Sequence, residues 1–110
     1  MKDNEYIERL LKYCKKITEY IKPVQSFDDF ISNSEKVDAV ILNLEQIGET
    51  AKKISVNTKN KYSDVNWPSI VGLRNMISHE YEGIELEIIY EIALNHINKL
   101  CIQLTENKII

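Results

Sequence analysis

The polar side chains best suited to act on a phosphodiester lie in the segment L-R-N-M-I-S-H-E-Y, residues 73–81. Arg74 carries a planar guanidinium with several N–H donors, which suits it to bind phosphate oxygens. His79 can accept or release a proton near neutral pH. Asn75 and Tyr81 add an amide and a phenol beside them. A fixed cation and a proton carrier at this spacing indicate chemistry at a phosphate.

The spacing of Arg74 and His79 creates a geometric problem if the segment is helical. Five positions at roughly 100° per residue place the two side chains about 140° apart around a straight helix. They can meet if the helix ends near Ser78, so that His79 turns back, or if a symmetric dimer brings together Arg74 of one chain and His79 of the other. Gly83 favours the helix end, and wide apolar helix faces favour the dimer.

The same residues also have a purely structural interpretation. Arg74 could be a surface residue, and His79 could cap the helix C-terminus, where the helix dipole favours a cation. Tyr81 could be a core aromatic with a solvated hydroxyl. His96 stands in the last helix with no acidic or cysteine partner at ligand spacing, and we interpret it as structural. Residue types alone therefore leave catalysis and capping open.

Apolar residues at spacings of three and four predict the two long helices of the N-terminal half. The first covers residues 4–21 and is stopped by Pro23. Residues 26–31 open with a capping box and are predicted to form a short helical turn. The second long helix covers residues 34–55. Gly48 interrupts its apolar stripe, either because a neighbouring helix approaches closely or because the glycine is simply tolerated.

The C-terminal half is predicted to contain a loop and two more helices. Residues 56–66 have no apolar period and many turn formers, which indicates a loop. Asn66 can cap the motif helix, with Pro68 in its first turn. The last helix is predicted from near Ile84 to Glu106 and has two apolar rows. Four main helices plus a short one predict an all-α bundle, and the wide apolar faces favour a homodimer.

Length and composition narrow the class of protein. One hundred and ten residues suffice for a single domain, residues 1–110, and 44% of them are apolar. No apolar run is long enough to cross a bilayer and no secretory segment begins the chain, so we expect a cytoplasmic protein with no membrane partner. Cys14 and Cys101 lack metal-like spacing and are predicted to be reduced, buried core thiols. No metal site and no other cofactor is implied.

The charged residues are distributed unevenly along the chain. A net charge of −3 argues against a protein that coats nucleic acid non-specifically. A stretch without acidic residues precedes the motif and contains Lys52, Lys53, Lys59 and Lys61, whereas an acidic run follows it with Glu80, Glu82, Glu85, Glu87 and Glu91. A phosphate-bearing ligand is expected to be attracted to the lysines and repelled by the acidic run.

The pattern R-x4-H-x-Y, with Asn directly after the Arg, resembles the HEPN superfamily and in particular its HepT-like toxins. I-G-E-T-A-K-K-I-S at residues 47–55, W-P-S-I-V-G-L at residues 67–73 and a long final helix also resemble that family. The likeness extends from Tyr6 to about Leu104. It implies an all-α, HEPN-type helical bundle that forms a homodimer, in which two R-x4-H motifs line a shared cleft.

The resemblance also implies an activity, that of a metal-independent endoribonuclease acting on RNA. Arg74 and His79 would be catalytic, and Asn75 would orient them or the phosphate. His79 would move protons during attack of the ribose 2′-hydroxyl on phosphorus, while Arg74 would stabilise the charge that develops on the phosphoryl oxygens. Lys52 and Lys53 would contact the RNA backbone, or they would simply form a solvated helix face.

The resemblance further implies a type VII-like toxin–antitoxin module. Tyr81 corresponds by position to the tyrosine that receives AMP from a partner antitoxin, a minimal nucleotidyltransferase of the MntA type. AMP on Tyr81 would place an anion two residues from His79, where it would block the cleft and repel RNA. Glu49, in the I-G-E segment, would orient Arg74 or balance local charge.

Two other hypotheses remain open for the function of the chain. It could be a non-catalytic helical partner of a minimal nucleotidyltransferase, using the same Arg and His only to bind anions. It could also be a simple helical dimerisation module. The acidic run after the motif tempers the ribonuclease hypothesis, and it could instead mark the surface that the antitoxin recognises.

Overall fold

The computed structural model describes residues 2–80 and 85–106, without the side chains of residues 78–80. All regular elements within these ranges are helical, which confirms the predicted all-α class. In chain order they are α1 (Lys2–Ile21), α2 (Phe27–Ile31), α3 (Ser34–Lys52), α4 (Val56–Lys61), α5 (Trp67–Glu80), α6 (Leu86–Glu91), a π-helical turn (Ile92–His96) and α7 (Ile97–Glu106). The four predicted main helices are α1, α3, α5 and the α6–α7 helix.

One core holds these helices together. Each long helix contributes an apolar stripe, because residues three and four positions apart lie on the same face. The largest fully buried side chains come from several helices, namely Leu10, Ile17, Phe30, Leu44, Ile47, Ile77, Ile89, Ile97, Leu100 and Leu104. α3 packs against both α1 and α5. The position of α5, which carries the motif, therefore depends mainly on α3.

The predicted N-terminal caps of the short helix α2 and of the motif helix α5 are both present. The Ser26 hydroxyl accepts a hydrogen bond from the Asp29 amide at 3.1 Å, and the Asn66 side chain accepts one from the Ser69 amide at 3.3 Å. Each cap satisfies a backbone donor that the first helical turn leaves unpaired. These local signals therefore place the starts of α2 and α5 correctly.

The prediction of a loop over residues 56–66 is wrong in part, because α4 occupies its first half. The Ser55 hydroxyl accepts a hydrogen bond from the Thr58 amide and caps this helix. Asp3 of α1 accepts hydrogen bonds from the Ser55 and Thr58 hydroxyls at 2.5 and 2.6 Å. These hydrogen bonds lower the pKa of the Asp3 carboxyl. Periodicity could not reveal α4, because none of its residues is buried.

The last helix also differs from a regular α-helix. The amide of Ile97 donates to the carbonyl of Ile92, five residues earlier, so the helix widens into a π turn. Ile89 and Ala93 are buried together with Ile97, whereas Ile88 is 46% exposed. Residues four positions apart are rotated by roughly 40° relative to each other around an α-helix. The wider π turn accommodates this rotation. Neither of the two predicted apolar rows is therefore buried along its whole length. The core takes Ile89, Ala93 and Ile97 from one row and Leu100 and Leu104 from the other.

The two cysteines are both free thiols, but their surroundings differ. Cys14 lies in the core, as predicted, and burial, with a smaller effect of Cys101, raises the pKa of its thiol to about 12. Cys101 is only half-buried, so the prediction of a buried core thiol is wrong for this residue.

None of the helices within residues 2–80 and 85–106 has the length and apolar character that a membrane span requires.

Candidate active site

The start of the motif helix is held by Trp67. Its indole Nε1 donates hydrogen bonds to the carbonyl oxygens of Lys59 and Tyr62, both at 3.1 Å. The ring is buried, and the Lys59 ammonium lies 5.9 Å from its centroid. The W-P segment thus ties the first turn of α5 to α4 and sets where the motif begins along the helix.

The middle of the motif helix lies directly against Gly48 of α3. A Cβ atom built on Gly48 would be 2.6 Å from the backbone nitrogen of Arg74 and 3.0 Å from its Cβ. No side chain larger than hydrogen fits in this space without moving one helix. Of the two explanations left open for Gly48, the close approach of a neighbouring helix is the one observed, and the neighbour is the candidate catalytic arginine itself.

Glu49, the next residue of α3, binds the other end of the Arg74 side chain. The Arg74 Nε and a Glu49 carboxylate oxygen are 2.7 Å apart. The two side chains are 45% and 39% exposed. Ion pairs this accessible to water contribute roughly 0.2–1 kcal/mol to stability, because solvent and salt screen them. The Glu49 carboxylate is therefore the acidic group that contacts the Arg74 side chain, through a bond that adds little to stability.

The position of His79 depends on where the motif helix ends. α5 extends through His79 to Glu80, so the proposed helix end near Ser78 is wrong. Positions 74 and 79 consequently lie roughly 140° apart around one helix. The side chain of His79 lies outside the described residues, and so does the whole of Tyr81. Arg74 and Asn75 are both exposed, and they occupy adjacent faces of the helix.

The candidate RNA-contacting lysines lie where α3 ends and α5 begins. Lys52 is the last residue of α3 and Lys53 its C-cap, and both are exposed. They follow Glu49 by three and four residues, which places them one turn beyond it on the same side of the helix. Lys61 is exposed on α4 and Lys59 is half-buried there, where it contacts the first residue of α5. These four lysines form what we call the basic end of the bundle.

The described part of the acidic run lies elsewhere. Glu85, Glu87 and Glu91 are exposed on and beside α6. α6 packs on α2, which leads into the first turn of α3, whereas the basic end is at the last turn of α3. The two charge groups therefore lie near opposite ends of α3, a 19-residue helix about 28 Å long. Physiological salt screens most of the electrostatic interaction across that distance.

His96 has an acidic neighbour that the sequence analysis did not identify. The side chain is exposed, and its Nε2 lies 3.8 Å from a carboxylate oxygen of Glu91, five residues earlier. The π turn brings these positions together, and ordinary α-helical spacing does not suggest such a pair. His96 also borders a groove of about 380 Å³ between α5 and the last helix, lined by Ser69, Ile70, Gly72, Leu73, Met76, Ile92 and Ile97.

Comparison with known proteins gives a consistent family match. Residues 10–106 match the sequence model of a family described as HepT-like, Ribonuclease HepT-like. The protein named "Putative RNase TTE0752" from Caldanaerobacter subterraneus subsp. tengcongensis is 36% identical over 101 residues, which cover 92% of this chain and 89% of that protein. "Putative RNase MJ0127" from Methanocaldococcus jannaschii is 34% identical, over 84% of this chain and 75% of its own.

A third relative carries the family name. "Probable ribonuclease HepT" from Thermococcus cleftensis is 26% identical over 96 residues, covering 87% of this chain and 86% of that protein. No solved structure matches the chain. The matched region contains α3, α5 and the whole R-x4-H segment.

Proposed function

Because this chain belongs to the HepT-like ribonuclease family, we propose that it is a metal-independent endoribonuclease and the toxin of a type VII-like toxin–antitoxin module. The observation that carries the proposal is the exposed Arg74, whose backbone lies against Gly48 and whose guanidinium is bound by Glu49. An arginine held in this way at a surface is suited to bind a phosphate rather than to support the core.

The proposed reaction uses the two ends of the R-x4-H motif. His79 removes the proton from a ribose 2′-hydroxyl, and the 2′-oxygen forms a bond to phosphorus while the bond from phosphorus to the 5′-oxygen breaks. The imidazolium then returns a proton to the leaving oxygen. Arg74 stabilises the charge on the non-bridging oxygens. The products are a 2′,3′-cyclic phosphate and a 5′-hydroxyl, and DNA is not a substrate because it lacks the nucleophile.

A homodimer is part of this proposal, since positions 74 and 79 lie on different faces of α5. A two-fold dimer brings Arg74 of one chain to His79 of the other. The groove between α5 and the last helix supports such packing, because the side chains that line it are mostly apolar. Ile88, one helical turn before the groove residue Ile92, is an exposed apolar residue that extends this surface along the last helix.

Regulation by a partner completes the proposal. A nucleotidyltransferase antitoxin of the MntA type would transfer AMP to Tyr81, as the family resemblance implies. The added phosphate would place a negative charge near His79 and oppose RNA binding. Intact-mass measurement of the protein produced with and without its partner tests this step. A gain of AMP mass located on Tyr81 supports it, and an unchanged mass contradicts it.

Cleavage of end-labelled RNA in the presence of EDTA tests the enzymatic part. We expect Arg74→Ala and His79→Ala to lower the cleavage rate at least about 100-fold, since each removes a group used in the transition state. The chain offers a matched control, because Arg9 is its other arginine. Arg9→Ala should cleave like the wild type. Equal cleavage by the wild type and His79→Ala, or no cleavage by the wild type, would show that the proposal is wrong.

A further inference from the structure

We propose that Glu49 is a positioning residue that holds the Arg74 guanidinium in the orientation needed to bind a phosphate. This inference rests on the proposed function, because it concerns the same site. Its starting observation is the 2.7 Å contact between the Arg74 Nε and a Glu49 carboxylate oxygen. The contact is made from α3, so the orientation of the α5 arginine is set by a neighbouring helix.

Two consecutive residues of α3 hold opposite ends of Arg74. Gly48 lies against its backbone nitrogen, and Glu49 binds its side-chain tip. A free arginine side chain has many rotamers, and fixing it on substrate binding is entropically unfavourable. An arginine already fixed at both ends avoids most of that loss when the phosphate arrives.

The atom that Glu49 contacts determines which side of the guanidinium remains available. Binding at Nε occupies the inner edge of the planar group. The outer edge, formed by the two terminal nitrogens, can still donate two parallel hydrogen bonds to a phosphate. A carboxylate on the outer edge would instead compete with the substrate for the same donors.

The location of the pair argues against a role in stability alone. Both side chains are substantially exposed, so the ion pair is screened and replacing Glu49 should leave the fold intact. A carboxylate near a phosphate site also repels the substrate. Lys52 and Lys53, one turn further along α3, provide two positive charges that offset this repulsion.

The first experiment observes Arg74 directly and does not depend on activity. The sequence contains only two arginines, Arg9 and Arg74, so the arginine Nε–Hε region of a nitrogen–proton NMR spectrum should contain two signals. Arg9 is an exposed α1 residue near the Tyr6 ring and serves as the internal reference. Arg9→Lys removes one signal and assigns both.

We expect Arg74 Nε–Hε to exchange more slowly with water and to be more rigid than that of Arg9. Glu49→Ala should remove the difference, and Glu49→Gln should retain part of it, because an amide oxygen still accepts the hydrogen bond. Glu45→Ala is the matched control, since Glu45 is a half-buried acid one turn earlier in α3. If Arg74 already resembles Arg9 in the wild type, or if Glu49→Ala changes nothing, the inference is wrong.

The second experiment measures cleavage kinetics. Glu49→Ala should lower kcat about 10- to 100-fold, as expected for a misplaced transition-state group, with little change in KM. Glu49→Gln should recover most of the rate. Loss of activity in Glu49→Gln equal to that in Glu49→Ala would instead indicate a required charge or proton transfer and overturn the positioning role. Full activity of Glu49→Ala, with Arg74→Ala inactive, would also overturn it.

The two experiments separate this inference from the proposed function. If the wild type does not cleave RNA but the Arg74 signal depends on Glu49, the ribonuclease proposal fails and the positioning contact stands. If RNA is cleaved but the Arg74 signal is independent of Glu49, the ribonuclease proposal stands and the positioning role fails.

Discussion

Gly48 of α3 and Arg74 of α5 are in backbone contact, with the position of a Cβ on Gly48 only 2.6 Å from the Arg74 nitrogen. The glycine therefore sets the distance between the helix that carries I-G-E and the helix that carries R-x4-H. Because Glu49 follows directly, the same approach brings its carboxylate to the arginine tip. The two sequence segments act as one structural unit.

Replacing Gly48 with alanine tests this contact. The added methyl group meets backbone rather than a flexible side chain, so α3 and α5 must move apart. We expect a loss of about 1–3 kcal/mol in the free energy of unfolding, although alanine favours helix formation. Urea denaturation measures it. Gly72→Ala is the control, since its added Cβ would have no neighbour within 4 Å apart from the adjacent backbone of its own helix, and it should be neutral or stabilising. Equal stability of the two variants would contradict the close contact.

Mixing two inactive variants tests the shared cleft. If each site combines Arg74 of one chain with His79 of the other, Arg74→Ala and His79→Ala chains should restore one site in each mixed dimer. Random pairing predicts about one quarter of wild-type cleavage, because half of the dimers are mixed and each has one intact site of two. RNA cleavage after co-refolding measures this. Lack of recovery, with mixed dimers present by mass spectrometry, would place both residues in one chain's site.

The basic end predicts a salt-dependent contribution to RNA affinity. The double variant Lys52→Ala, Lys53→Ala should bind a 2′-deoxy-substituted, uncleavable RNA more weakly than the wild type. The slope of log affinity against log salt concentration should decrease by about 1.4, because each lost phosphate contact contributes roughly 0.7. Titration at several salt concentrations measures the slope. Lys15→Ala with Lys16→Ala, an exposed lysine pair on α1, is the matched control. Equal slopes for both double variants would remove Lys52 and Lys53 from the RNA site.

The Asp3 contacts predict how α4 responds to acid. Hydrogen bonds from Ser55 and Thr58 lower the pKa of Asp3, so their stabilisation is present above the unfolded-state pKa of about 3.9 and is lost as pH falls through the lower folded-state value. Protection factors for amide exchange, which compare the observed rate with the unprotected rate at the same pH, should therefore fall across residues 56–61 below about pH 4. Asp3→Asn should weaken this pH dependence, whereas Asp38→Asn, at an exposed position of α3, should not. Identical acid profiles for Asp3→Asn and the wild type would contradict the prediction.

Several structural features could be predicted because their causes are local. The caps at Ser26 and Asn66 depend on residues three positions away, and the stripes of the long helices follow helical periodicity. Gly48 was recognisable as unusual because glycine is unfavourable inside a helix. Its partner was not recognisable, since no local rule connects position 48 to position 74.

Other features escaped the sequence because distant residues create them. α4 has no buried face, and part of its N-terminal support comes from Asp3, more than fifty residues earlier. The pairing of His96 with Glu91 depends on a π turn that ordinary α-helical spacing does not suggest. Cys101 lies in an apolar row but is only half-buried, because packing against other helices decides which side of a row is covered.

The sequence by itself determined the helical class, the main helix starts and the candidate groups Arg74, Asn75, His79 and Tyr81, because residue chemistry and helical spacing are properties of short segments. Tertiary structure decided that α5 continues through His79, that Gly48 admits the Arg74 backbone and that Glu49 binds the Arg74 side chain. These depend on how α3 and α5 pack, and packing is set by the simultaneous fit of side chains from distant parts of the chain.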